Sequence, residues 1–262
     1  MTKLLILGAG GMLGDAVTRY FSQTPDYIVT TINDRWPSNG FEEAIRSAGP
    51  EVIINCIGKI PQKSGENDSY QEINVELPAF LDTLGIPIVH PSTDCEFSGD
   101  LTVGNYYTKT SLRDAHDAYG KSKAEISEQI QQSFKNTKII RTSIIGHERM
   151  AKVALLDWFL SSSGTVKGFT NHYWNGVTTL QWAELCANLI KQWESFPVLN
   201  QYGTHSCQSK YQVLETIRNV YKKDIEIVPF KTDETVNKCL ESDVEIPSLD
   251  QQLERLRIFY NR

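Results

Sequence analysis

The chain has 262 residues, of which 40% are hydrophobic and 22% charged, which suits one large domain, or one domain with a smaller lobe, and excludes a disordered chain. A formal net charge of -6 denies it the basic surface of a non-specific nucleic-acid binder, so nucleic acid is set aside as a partner. The five cysteines (56, 95, 186, 207 and 239) are odd in number and none lie at zinc-site spacing, so the sequence predicts neither a disulfide framework nor a metal site and favours a reducing, cytoplasmic compartment.

In chain order, a short apolar run over Lys3–Leu7 predicts a buried strand that ends in glycines. Glycines also interrupt the apolar start before a signal peptide forms, and no later run is long enough to span a membrane. A helical pattern follows over Asp15–Gln23, then a β-branched strand over Tyr27–Ile32 and a helix over Phe41–Ala48 stopped by Pro50. Further strands are predicted at Glu51–Ile57, Ile86–His90 and Lys138–Thr142, with helices over Ser69–Leu84 and Ile126–Phe134 between them. This alternation predicts an α/β fold with a doubly wound parallel (Rossmann) sheet over residues 1–146. Residues 147–262 are expected to form mainly a smaller substrate-binding lobe, with some segments returning to the sheet. Helices are predicted there over 151–161, 179–193 and 211–221, and a strand over 225–228. Trp158, Trp182 and Trp193 fall at helical positions that suit a core, and the polar segment 231–245 reads as surface.

Gly8, Gly11 and Gly14 follow a G-x-x-G-x-x-G spacing between the first strand and the first helix. Such a turn needs residues without Cβ so that the backbone approaches a pyrophosphate, and the helix amino terminus then offers free N–H groups to the anion. Alone the motif also fits an ordinary glycine turn, but its position at the first strand of a βαβ chain points to a dinucleotide cofactor. The second strand ends in Thr31-Ile32-Asn33-Asp34-Arg35. Thr31 stands where an NAD enzyme carries its ribose-binding acid; Asp34 could replace that acid, and Arg35 could hold a 2′-phosphate, so NADP(H) is favoured over NAD(H).

Tyr119 and Lys123 are four residues apart and share a helix face. An ammonium beside a phenol favours the phenolate and makes the tyrosine usable as a general acid or base. Thr93 follows a strand end, where its hydroxyl can bond a substrate carbonyl. The five histidines are scattered without metal spacing.

The stretches Gly8–Gly14, EVIINCIG at 51–58, Ile73-Asn74, PSTDCEFSG at 91–99, DAHDAYGKSK at 114–123 and IRTSIIG at 140–146 resemble the extended short-chain dehydrogenases, specifically the dTDP-4-dehydrorhamnose reductase family. The resemblance implies that Met12 and Leu13 lie on the pyrophosphate and that Cys56, Ile57 and Gly58 border the riboses. It further implies that Thr93 polarises the sugar carbonyl, Tyr119 delivers the proton, and Lys123 bonds the nicotinamide ribose while tuning Tyr119. Asp94, Glu96, Phe97, Ser143 and Asn171 join Thr93 as expected substrate-binding residues. Ile144 and Glu96 depart from the family's usual aromatic and apolar residues, which puts rhamnose itself in question. The implied activity is reduction of the C4 keto group of a nucleotide-linked 4-keto-6-deoxy sugar; epimerisation or dehydration of such a sugar, or a non-catalytic dinucleotide-binding subunit, are the alternatives. A homodimer is compatible with the sequence.

Overall fold

The computed structural model describes residues 1–63, 69–149 and 152–262. Six strands form one parallel sheet. They are β1 (Thr2–Leu7), β2 (Tyr27–Thr31), β3 (Val52–Asn55), β4 (Ile88–Ser92), β5 (Thr137–Arg141) and the edge strand Leu199–Gln201. From that edge the order runs Leu199–Gln201, β5, β4, β3, β1, β2. After β1 the chain steps to β2 on one side and then returns to β3 on the other. The β1/β3 boundary is therefore the topological switch point, where an open α/β sheet leaves a crevice at its carboxyl edge.

The unbroken apolar runs of β1 and β3 follow from burial on both faces. Leu4 and Ile6 of β1, with Ile54 of β3, face α1 (Met12–Ser22) and α6 (Thr179–Lys191), where Val17, Phe21 and Trp182 cover them. Leu5, Leu7 and Ile53 face the opposite layer of α2 (Asn39–Ala48) and α3 (Leu77–Asp82) through Phe41, Ile45 and Leu81. Each of these side chains is fully or almost fully buried, and such burial contributes roughly 1.5–3 kcal/mol per large residue. Helix α2 ends at Gly49, which adopts φ 55°, one residue before Pro50. In place of one helix from residue 69 to 84, a wider π-helical turn (Glu72–Glu76) precedes α3, with Pro78 in the first turn of α3, where no backbone donor is required.

A second core lies over the sheet's carboxyl edge. It packs α5 (Leu155–Ser161), α7 (Lys210–Tyr221) and α8 (Leu249–Phe259) around a parallel pair of strands, Thr165–Phe169 and Glu226–Phe230. Ala151, expected in α5, lies outside the described residues. The sequence pattern did not reveal α8. Its start is marked by a reciprocal capping box between Ser248 and Gln251, and its buried face is Leu249, Leu253 and Leu256. Trp182 is fully buried, whereas Trp158 is 39% exposed and stands outside the core.

Two expectations are corrected here. Cys207 and Cys239 form a disulfide, although they are 32 residues apart. The strands Gln208–Ser209 and Val236–Asn237 both pair with His172–Trp174, and this pairing carries their flanking cysteines together. For the same reason the segment 231–245 is not a surface strand of chain: Asn237, Cys239 and Leu240 are buried within it.

The glycine turn gives a direct test. A Cβ on Gly14 would lie 2.1 Å from the Gly8 carbonyl oxygen, whereas one on Gly10 would meet nothing within 4 Å. Gly14→Ala is expected to lower stability by about 1–3 kcal/mol in urea unfolding, the usual cost of overpacking, and Gly10→Ala to leave it unchanged. Equal stability of the two variants would contradict the close approach of α1 to β1.

Candidate active site

The crevice holds a cavity of about 540 Å³, within the range of small-molecule sites. One wall is the glycine turn. Gly8 sits at φ 75° with its carbonyl accepting the Gly11 N–H at 3.0 Å, and a Cβ there would stand 2.9 Å from the Cys56 carbonyl. Gly8 and Gly14 thus shape the turn from behind, while Gly11, Met12 and Leu13 line the cavity. The first intrahelical bond of α1 runs from the Asp15 N–H to the Gly11 carbonyl at 2.9 Å. The preceding N–H groups have no intrahelical acceptor, which makes this end of α1 fit for an anion such as a pyrophosphate. Cys56, Ile57 and Gly58, just after β3, form the adjoining wall.

The opposite wall is made where β4 ends and α4 (Ala118–Ser133) begins. Asp117 caps α4 by accepting the Gly120 N–H at 2.8 Å. Gly120 lets α4 press onto the turn after β4, since a Cβ there would be 2.2 Å from the Cys95 carbonyl oxygen. This contact sets Tyr119 beside Thr93 in the cavity wall. The Thr93 hydroxyl also donates to Asp94 at 2.9 Å and accepts the Cys95 N–H at 3.1 Å. Thr93, Asp94, Tyr119, Lys123, Ser143 and Ile144 all line the cavity.

Burial, and then the neighbouring Cys95 and Asp94, push the Tyr119 phenol up from its ordinary value, with Thr93 opposing. Lys123, expected to tune Tyr119, is directed to β4. Its Nζ turns the other way, donating to the Pro91 carbonyl at 2.8 Å and meeting His90 Nε2 at 3.1 Å. Burial brings Lys123 down to about 8, with Glu96 opposing. The ligand-free site therefore keeps Tyr119 as a protonated phenol, the form a proton donor requires.

Four expected residues stand elsewhere. Glu96 is fully buried beneath the site, paired with Arg141 at 2.7 Å and Arg113 at 2.8 Å and accepting bonds from Ser92 and Ser127. The departure from an apolar residue at this position is thus explained by two arginines that need a counter-charge, rather than by the substrate. Phe97 is fully buried, stacked on Tyr107 at 4.1 Å, with the Arg141 guanidinium 5.2 Å from its ring. Asn171 uses its amide to hold the 232–234 turn, donating to the Thr232 and Glu234 carbonyls at 2.9 and 2.8 Å. Arg35 is exposed and lies outside the cavity lining.

The cavity also contains residues that the sequence reading did not single out. Lys210, at the start of α7, and Lys238 face the Asp94 side, with His172 and Trp174 nearby. Burial lowers Lys210, and Asp94 opposes this. The Ser209–Gln212 capping box announces the helix start, but no local pattern says that this start opens on the crevice. Asn74 joins the two walls: it accepts the Lys59 N–H at 2.9 Å and donates to Ser122 Oγ on α4 at 3.1 Å.

The profile of the RmlD substrate binding domain family matches residues 1–243. The chain belongs to this family. It is 31% identical over 172 residues to the spore coat polysaccharide biosynthesis protein SpsK of Bacillus subtilis, covering 59% of each chain. It is 31% identical over 153 residues to a dTDP-4-dehydrorhamnose reductase of Aggregatibacter actinomycetemcomitans, covering 55% of this chain and 51% of that one. The matches thus span between half and three-fifths of these relatives' lengths. In structure it is similar to a dTDP-4-dehydrorhamnose reductase of Bacillus anthracis determined with NADP, with a TM-score of 0.84 at 17% identity over 98% of this chain and 99% of that one. The fold anticipated from the motifs is the fold of this structure.

Glu96 provides the site's second test. Glu96→Gln leaves Arg141 buried without its ion-pair partner, and removal of one partner from a buried pair costs about 3–5 kcal/mol. We expect a matching drop in chemical stability, with ligand affinity of the surviving folded protein unchanged. A stable variant with a selective loss of sugar-nucleotide affinity would return Glu96 to the substrate site.

Proposed function

We propose that the protein is a nicotinamide-dependent reductase of a nucleotide-linked 4-keto sugar. The observation that carries this reading is the meeting of two parts in one cavity: an anion-accepting glycine turn at the switch point, and the Thr93 and Tyr119 side chains across from it. The reductase relatives, one of them determined with NADP, support the same reading.

The turn fits a dinucleotide, because its glycines allow backbone approach and α1 offers free N–H groups. When bound, the cofactor supplies hydride, and the protein supplies orientation and proton transfer. Thr93 and Tyr119 together hold the carbonyl oxygen of the substrate; as the C–H bond forms at the carbonyl carbon, the Tyr119 O–H proton passes to that oxygen and yields the alcohol. The raised phenol keeps this proton in place until it is needed. Met12, Leu13, Cys56, Ile57 and Gly58 form the cofactor side, and Asp94 and Ser143 the sugar side. Lys210 and Lys238 are suited to the substrate's diphosphate, because a half-buried pair of ammonium groups needs anions. We assign residues 1–146 mainly to cofactor binding and the C-terminal lobe mainly to the substrate. No helix among the described residues is long and apolar enough to cross a membrane.

Turnover of a panel of dTDP-, UDP- and GDP-linked 4-keto sugars, read by NADPH oxidation and product mass, tests the reading; turnover without added reductant would favour an epimerase. Tyr119→Phe is expected to lose about 10²–10⁴-fold in kcat with cofactor affinity near that of the wild type. Wild-type turnover in this variant would remove Tyr119 from the reaction. Lys210→Met is expected to raise KM for the nucleotide sugar and leave cofactor affinity unchanged; the reverse pattern would place Lys210 on the cofactor. A preference for NADPH over NADH is expected to survive Arg35→Ala, because Arg35 lies off the cavity, and its loss in that variant would restore Arg35 as the phosphate ligand.

A further inference from the structure

Behind Lys123 runs a chain of buried polar groups whose donors and acceptors can be ordered. The Ile57 backbone N–H can only donate, and it donates to Asn55 Oδ1 at 3.0 Å. Asn55 therefore turns its amide nitrogen, a donor, toward His90 Nδ1 at 3.2 Å. Nδ1 must then be the bare, accepting nitrogen, and the imidazole proton must sit on Nε2. Nε2 in turn meets Lys123 Nζ at 3.1 Å. A protonated Nε2 needs an acceptor there, and the only form of a lysine that accepts is the neutral amine. The amine keeps its own donors, one of them used on the Pro91 carbonyl at 2.8 Å. Each bond in the chain finds a donor and an acceptor only in this order.

We propose that Asn55 and His90 are positioning residues that hold Lys123 as a neutral amine in the ligand-free protein at mildly alkaline pH, so that binding of a dinucleotide, which draws Lys123 away from His90, takes up a proton. The second half rests on the functional reading above; the first half stands on the hydrogen-bond order alone. Converting Lys123 to an ammonium would require Nε2 to become an acceptor, a proton on Nδ1, and a turned Asn55 that abandons the Ile57 N–H at the cofactor wall. Protonation of Lys123 and the backbone of the β3 loop are thereby coupled.

The surroundings agree. Asn55, His90 and Lys123 are almost wholly buried. Burial lowers both titrating groups, His90 well below its ordinary value with Lys123 adding to the effect, and Lys123 to about 8. Lys123 faces His90 and Pro91 from β4 and Asn55 lies behind His90 on β3, while Tyr119 precedes it on its own helix. The charged group acting on it is Glu96, and that carboxylate is already engaged by Arg141 and Arg113.

The sign of the pH effect follows. A bound state that carries one more proton than the free state loses affinity as pH rises above the ligand-free value of Lys123, by up to about tenfold per pH unit. The decisive measurement on the wild-type, ligand-free protein is nitrogen-15 NMR of the histidine side chains at about pH 10, well above the ligand-free value of Lys123, with His90 assigned by its loss in His90→Gln. A neutral ring with the proton on Nε2 is expected; a proton on Nδ1, or an imidazolium, overturns the proposal. Calorimetry of NADPH and NADH binding near pH 8, in buffers of different ionisation enthalpy, is expected to show net proton uptake. Asn55→Asp keeps an acceptor for Ile57 but offers His90 a second one, so it is expected to move the ring proton to Nδ1 and abolish the uptake. Unchanged uptake in that variant, or none in the wild type, overturns the coupling. Failure of either nucleotide to bind refutes the oxidoreductase reading instead, and the ring proton of His90 still decides the order of the chain.

Discussion

The close contact between α4 and the turn that follows β4 fixes the rest of the site. Gly120 lies against the Cys95 carbonyl with no room for a Cβ, and Asp117 caps the helix at that point. One turn of α4 then delivers Tyr119 to Thr93 and Lys123 to His90. The turn is held from below by Glu96, whose single negative charge pairs with both Arg141 and Arg113 inside the fold. A buried carboxylate with two arginines is a costly foundation; two serines complete the bonds of the carboxylate, while Arg141 Nε and Arg113 Nη2 stay buried without a hydrogen-bond partner. The proposed catalytic pair is thus seated on a charged cluster that lies outside the cavity lining.

The parallel sheet and its switch point were legible because their causes are local. Apolar runs of strand length, glycines after the first strand and a helix-spaced tyrosine and lysine each state their own physics. What could not be read is what depends on distant pairing. Glu96, Phe97 and Asn171 sit in or near motifs that point to the crevice, yet the turns that carry them direct each of them away from the cavity, to Arg141, Tyr107 and the 232–234 turn. Lys210 and Lys238 come from segments with no motif, and they reach the cavity only because two short strands pair with His172–Trp174.

The same pairing explains the disulfide. Cysteine number and spacing predicted none, but spacing along the chain says little when three short strands meet in one sheet. The bond joins the segment that leads into Lys210 to the one that carries Lys238, so both cavity lysines stand on a cross-linked platform. The direction of Lys123 was likewise invisible to the spacing of residues 119 and 123. Helix periodicity gives a shared face, but His90 and Pro91 decide where along that face the ammonium or amine points.

We propose that the glycine turn and the Thr93–Tyr119 pair serve one bound dinucleotide from two sides. A crystal structure with NADPH tests it most directly. The pyrophosphate is expected at the amino end of α1, over Met12 and Leu13, and the nicotinamide ring beside the Tyr119 hydroxyl within hydride reach of a carbonyl held there. A dinucleotide seated away from α1, or one whose nicotinamide points out of the crevice with Tyr119 unapproached, would contradict it.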